Sequence, residues 1–297
     1  MKSYLQRLVI SGLLIAAAAS PAKSQIASPD AELILISDQF KFTEGPTADT
    51  DGNVLFTDQP NDQIVRYDFK TNTISTWLKP AGRSNGLFYA SERRLIACAD
   101  NQNELWEINP SSKEKRVLAK TYQGRNFGGP NDCWVDHDGT IYFTDPLYQR
   151  PYWSQEIPAD HPRGVYRVTN NGKITLVASD LIQPNGIIGD PKQRILYVAD
   201  INAGKTYRYR IVEDGTLQDK TLFCQLGSDG MTIDRKGNVY LTGRGVTVFN
   251  SQGEKITNIP VPRGWTANVT FAGPDRRHLF ITAGDSVFLL KTEMQGL

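Results

Sequence analysis

The chain is short of the residues that carry soft-metal and nucleophilic chemistry: its 297 residues hold only three histidines and three cysteines. Cys98, Cys133 and Cys224 are widely separated, and their spacing fits no zinc motif. One disulfide is open to them in an oxidising compartment, but buried strand cysteines are the preferred reading. His137 lies beside a hairpin turn, His161 in a loop and His278 at the start of a strand, so a Ser-His-Asp triad or a His-rich zinc site has little to draw on. A charge excess is missing too. With 33 basic against 32 acidic side chains and a formal charge of +1, nucleic acid and anionic membranes find no electrostatic footprint. The expected partner is a small molecule, and nothing in the sequence sets an oligomeric state.

Long apolar runs are absent except at the start. Lys2 and Arg7 precede an apolar run from Leu8 to Ala19, followed by small residues that include Ala22 and Ser24. This is the pattern of a secretory signal, expected over residues 1–24. A run of about 12 residues falls short of the ~20 that a spanning helix needs, so no membrane anchor is expected after its removal. The protein is read as exported, to the periplasm or beyond, with residues 25–297 as one domain.

What the chain has in quantity is repetition. The stretch GPNDCWVDHDGTIYFTD, Gly129 to Asp145, places a polar head at Asn131, a turn at Asp138-Gly139 and a returning strand rich in β-branched and aromatic residues. The same plan recurs from Glu44, Asn85, Asn185, Asp229 and Asn268, which makes six copies. Heads return at a period of roughly 40 to 55 residues, the range of propeller blades. Each copy continues into a third strand (QIVRYD, ELWEIN, GVYRVT, KTYRYRI, GVTVFN, SVFLL), and all but the last into a fourth. The run ELILISD, Glu32 to Asp38, precedes the first head and has no local partner. The expected fold is an all-β, six-bladed β-propeller in which this N-terminal strand completes the last blade and closes the ring.

In such a ring the six heads share one end of the central channel, and Glu44, Asn85, Asn131, Asn185, Asp229 and Asn268 all carry side-chain oxygens. Any one of them alone is first a turn residue. Together they are a candidate site. Two carboxylates about 5 Å apart repel by roughly 3 kcal/mol at an effective dielectric near 20, and a divalent cation reverses that cost. Carboxylate and amide oxygens are hard ligands, so Ca²⁺ is expected first, with Mg²⁺, Mn²⁺ and Zn²⁺ as alternatives. The longest interruption of the repeat, Pro146 to Arg163, carries Tyr148, Tyr152 and Trp153 among prolines and is read as a loop bordering the site.

The segments EGP at Glu44, GPNDCWVDHDGTIYFTDPLY at Gly129, PNGI at Pro184, SDGM at Ser228 and NVTFAGPDRRHLFITA at Asn268 resemble the family of gluconolactonase, the senescence marker protein and the phosphofluoridate hydrolases. The resemblance implies a catalytic divalent metal held by Glu44, Asn131, Asn185 and Asp229. It also implies that Asp132 lies near the substrate or orients a ligand, while a buried carboxylate capping backbone groups is an equal reading. Asn131, Asp132, Asn85, Asn268 and Tyr148 are the substrate-binding candidates. The implied activity is hydrolysis of a sugar-acid lactone, with Asp229 as base or nucleophile. A phosphotriesterase-like hydrolase and a non-catalytic propeller with structural calcium are the alternatives, and strictosidine-synthase-like condensation is disfavoured. The chain departs from the family in GRNFGGPND, where Arg125 and Asn126 are shifted relative to the head, and in Thr47-Ala48 after EGP.

Overall fold

A computed structural model describes residues 26–154 and 156–297. The leader expected over 1–24 lies outside the described residues. Six four-stranded antiparallel sheets are arranged as a propeller, and each begins with an inner strand at a head or just after it. The inner strands are Thr43–Ala48, Ser84–Ser91, Cys133–Val135, Pro184–Asp190, Met231–Ile233 and Asn268–Ala272, here blades 1 to 6. Each inner strand packs on those of the blades before and after it, and blade 6 packs on blade 1.

Closure follows the expected route. Ile34–Ser37 pairs antiparallel with Ser286–Lys291, setting Ile34 opposite Leu289 and Leu35 opposite Phe288. This outer strand is held by its inward neighbours, while Ile34 and Leu35 themselves stay exposed. Across the seam, Phe56 and Tyr67 of blade 1 share a buried cluster with Phe280, Val287 and Leu289 of blade 6. The Phe56 and Phe280 rings sit 5.4 Å apart. Each such side chain stabilises the closed ring by about 1.5–3 kcal/mol through burial.

The remaining core is split the same way, between neighbouring blades rather than at a single centre. Ile96, Cys98 and Leu105 of blade 2 meet Cys133, Ile141, Phe143 and Tyr166 of blade 3. Cys98, Cys133 and Cys224 are all buried free thiols, in line with the core reading.

Two recurring residues on the second strands position the heads. The threonine of the FTD-like ends reaches across to the next blade: Thr57 Oγ1 donates to the Asn85 carbonyl at 3.0 Å and Thr144 Oγ1 to the Asn185 carbonyl at 2.7 Å. The aspartate that follows ties down the chain leading into a head. Asp58 accepts from the Lys41 and Phe42 amides, Asp145 from Gly128 and Asp200 from Ile182 and Gln183. Carboxylate acceptors on backbone N–H groups make the stronger, charge-assisted kind of bond, so in blades 1, 3 and 4 the approach to the head is held within one repeat.

Candidate active site

The six heads converge at one end of the channel, where all are buried except Asp229, which is half-buried and faces the mouth. Close approach is possible because the residue after a head is often glycine. A Cβ on Gly86 would stand 2.4 Å from Asp132 Oδ1, and one on Gly230 would stand 1.9 Å from Asn268 Cγ. Without those glycines neither Asp132 nor Asn268 would fit into the ring.

The heads form two hydrogen-bonded groups. In the first, Asn268 Nδ2 donates to Glu44 Oε2 at 3.2 Å and, more weakly, to Asp132 Oδ2 at 3.5 Å. Its own Oδ1 accepts from the Val269 amide at 2.8 Å, so Asn268 is engaged at both ends inside the ring. The Gly45 amide donates to Glu44 Oε2 at 2.9 Å, and the Cys133 amide to Asp132 Oδ1 at 2.9 Å. In the second group, Asn185 Nδ2 donates to Tyr148 Oη at 3.0 Å and to Asp229 Oδ1 at 2.9 Å. Trp265 Nε1 then donates to Asp229 Oδ2 at 2.6 Å. With both amide hydrogens spent, Asn185 Oδ1 is buried without any hydrogen-bond partner. A buried acceptor left in that state costs about 1–3 kcal/mol.

Electrostatics point the same way. Burial pushes the Glu44 carboxyl well above its ordinary value, and the neighbouring Asp229 and Asp132 charges add to it. Burial, with the Asp229 charge as a smaller contribution, lifts Asp132 to about 7. Asp229 is lifted to about 6 by burial, against the opposing bonds from Trp265 and Asn185. Burial also pushes the Tyr148 hydroxyl up to about 12, with the Asp229 charge second, so it remains a neutral phenol.

This donor set fits a hard divalent cation. Glu44, Asn131, Asn185 and Asp229 offer two carboxylates and two amides, and Asn185 supplies an oxygen that nothing in the protein satisfies. Among the described residues no three His, Cys, Asp or Glu side chains make a ready-made cluster. A cation here would therefore depend on amide oxygens beside the carboxylates, the balance expected of a site that keeps positions open.

Residues 42–285 match the family described as SMP-30/Gluconolactonase/LRE-like region. The chain belongs to this family. It is similar to the gluconolactonase of Zymomonas mobilis subsp. mobilis, with 25% identity over 305 residues covering 93% of this chain and 86% of that protein. It is also similar to the diisopropyl-fluorophosphatase of Loligo vulgaris, with 24% identity over 293 residues covering 88% of this chain and 91% of that protein. A solved gluconolactonase from Xanthomonas campestris superposes with a TM-score of 0.84 and 27% identity, over 92% of this chain and 93% of that one.

In this SMP-30/gluconolactonase-family chain the aromatic insertion divides its labour. Tyr148 alone of its three aromatics singled out above hydrogen-bonds a head. Tyr152 and Trp153 anchor the loop instead, both on Asp100: the Tyr152 hydroxyl binds its carboxylate, and Trp153 Nε1 donates to its carbonyl at 2.6 Å. Arg150 Nε adds a bond to Asp100 Oδ2 at 3.1 Å and Gln59 Nε2 another at 3.2 Å. His161, also in the insertion, lies 3.1 Å from the Asp145 carboxylate and so serves the same anchoring. Asn85 and Asn131 are buried and packed through their backbones, the Gly86 amide donating to the Asn131 carbonyl at 2.7 Å, whereas Arg125 and Asn126 form a short hairpin strand paired with Thr121–Tyr122. Trp265 and Asp100 were missed by the sequence reading. Neither carried a distinguishing signal: Asp100 ends its repeat like Asp58, and Trp265 shows only its position three residues before a head.

Proposed function

We propose that this chain is a metal-dependent hydrolase that opens a sugar-acid lactone. Relatives named gluconolactonase and lactonohydrolase support a lactonase-type hydrolase. The observation that carries the metal-dependent reading is the unpartnered, buried Asn185 Oδ1 in a ring that also holds Glu44, Asn131 and Asp229. A divalent cation held there, with Ca²⁺ favoured by the amide oxygens, supplies polarisation of the lactone carbonyl when bound.

The chain's own groups have separable tasks. Asp229, held through Oδ1 by Asn185 and through Oδ2 by Trp265, is aimed by donors that favour its charged form. As base it takes a proton from the attacking water while the water oxygen bonds to the carbonyl carbon. The ring C–O bond then breaks, and the same proton passes to the leaving alkoxide, giving the open hydroxy acid. The Tyr148 oxygen already accepts from Asn185, which leaves its hydrogen to donate to a substrate oxygen. Asp132, buried beside the ring, borders the same space.

The deciding experiment is hydrolysis of a panel of aldonolactones by chelator-stripped protein, with and without Ca²⁺, Mg²⁺, Mn²⁺ or Zn²⁺. Turnover restored by a cation is expected; stripped protein that works as well without any cation refutes the metal dependence. Similarity to a diisopropyl-fluorophosphatase over most of both chains favours organophosphate hydrolysis as the second reading, and a fluorophosphonate in the same panel separates the two. We also place the propeller of residues 25–297 outside the cytoplasm, on the strength of the leader pattern. Full-length, unprocessed chain found only in the cytoplasmic fraction would refute export.

A further inference from the structure

Trp265 lies between the outer strand Lys255–Ile259 of blade 5 and the first head residue of blade 6. The side chain is 40% exposed, although its Nε1 is committed to Asp229 Oδ2 at 2.6 Å. An indole has one hydrogen to give, and here it goes to a carboxylate rather than to water. Asp229 is thus gripped on both oxygens, by Trp265 on one and by Asn185, with Tyr148 behind it, on the other.

Beside Trp265 the strand-end aspartate of the earlier blades is missing, as it also is in blade 6, where the second strand ends in Ala283. Where the second strands of blades 1, 3 and 4 end in Asp58, Asp145 and Asp200, and blade 2 continues into Asp100, blade 5 has Gly243. A Cβ on Gly243 would lie 3.7 Å from the Trp265 ring, at ordinary contact distance, and the Gly243 φ of +142° is one that residues with side chains rarely adopt. The backbone at the same point ties the two segments together, the Thr266 amide donating to the Gly243 carbonyl at 2.8 Å.

We infer that Trp265 is a positioning residue for Asp229, and that its exposed indole, bonded to the Asp229 oxygen that Asn185 does not hold, receives the ring of a cyclic substrate. This rests on the hydrolase reading above. Holding the carboxylate fixes its direction, and groups that hold a metal ligand are worth about 10–100-fold in affinity or activity. An apolar ring face stacked on substrate acts in binding, so the two contributions fall on different constants.

Two variants separate them. Trp265→Phe keeps an aromatic face and removes the N–H; Trp265→Leu removes both. Trp265→Phe is expected to lower kcat about 10–100-fold with KM within about 3-fold of wild type, and to weaken calcium binding to the stripped protein about 10-fold by calorimetry. Trp265→Leu is expected to match those losses and to raise KM about 10-fold as well. Wild-type calcium affinity in Trp265→Phe overturns the positioning role, and equal KM in the two variants overturns the ring-face role. A wild-type chain that binds calcium but opens no lactone overturns the hydrolase reading alone, because the calcium affinity of Trp265→Phe still decides whether Trp265 positions Asp229. A wild-type chain that binds no cation overturns both.

Discussion

The two ends of the channel are built from the same six inner strands, a few residues apart, and differ in whether their polar groups are satisfied. The end opposite the heads opens into a cavity of about 510 Å³ lined from every blade, by Thr47, Phe88, Trp134, Ile188, Thr232 and Phe271 among others. The charged side chains that line it have partners. Arg94 bonds Glu107 Oε2 at 2.7 Å and the Gly139 carbonyl at 2.9 Å, Arg276 bonds the Asp49 carbonyl at 2.6 Å, and Asp136 is shared by His137 and Arg194 at 2.7 and 2.6 Å. The head end instead holds three carboxylates pushed upward by burial and an amide oxygen with no partner. A cavity by itself does not mark a reactive end. Unmet electrostatic demand marks the one where chemistry can be done, because only there does an added cation or substrate oxygen gain more than it displaces.

The largest effect is expected at Asp229. Asp229→Asn should cut lactone turnover by about 10²–10⁴-fold, the range for loss of a general base, with an unchanged circular-dichroism spectrum. At the opposite end Tyr89→Phe should leave turnover within about 2-fold; a comparable loss there would reverse the assignment of the two ends. Next comes Asn185→Ala, which deletes the unpartnered oxygen and the bonds to Tyr148 and Asp229. Calcium affinity by calorimetry should fall at least about 10–100-fold, and unchanged affinity would mean that Asn185 is only a scaffold.

Gly86→Ala tests the packing that separates the two ends, since its Cβ would stand 2.4 Å from Asp132 Oδ1 and 2.7 Å from the Asn131 carbonyl. A loss of about 1–3 kcal/mol in chemical denaturation is expected. The smallest effect is on pH. Glu44, Asp132 and Asp229 have folded-state values above the ordinary carboxylate range, the latter two at about 7 and about 6, so ionising them opposes folding. Chelator-stripped protein should gain stability as pH falls from above 7 towards 5, by about 2–4 °C in Tm for each kcal/mol relieved. Saturating calcium should reduce or reverse that slope, since protons and cation compete for the same oxygens. An identical slope with and without calcium would detach the raised carboxylates from the cation site.

Much of this was legible in the sequence because the repeat is local. The interval from a head through its returning strand is set by hairpin geometry, so aligning the FTD-like ends placed Asn131 and Asn185 at one end of the channel, with Glu44 and Asp229 beside them. ELILISD could be assigned to the last blade because the sixth copy stops short of an outer strand, and the pairing of Ile34–Ser37 with Ser286–Lys291 bears this out. Asn268 was legible as a ring member but not in its task, since its contacts with Glu44 and Asp132 span 224 and 136 residues.

Spacing along one strand or hairpin was enough to set the period, the head residues and the strand that closes the ring. Which oxygens are left unsatisfied depended on contacts between blades and loops. Asp100 looks like the other strand-end aspartates until Arg150, Tyr152 and Trp153 fold onto it, and Trp265 is an unremarked loop residue until its indole bonds Asp229. Hydrogen bonds at such sites are allotted by competition among groups brought together from separate blades and loops. That competition has no counterpart in the local periodicity that builds the blades.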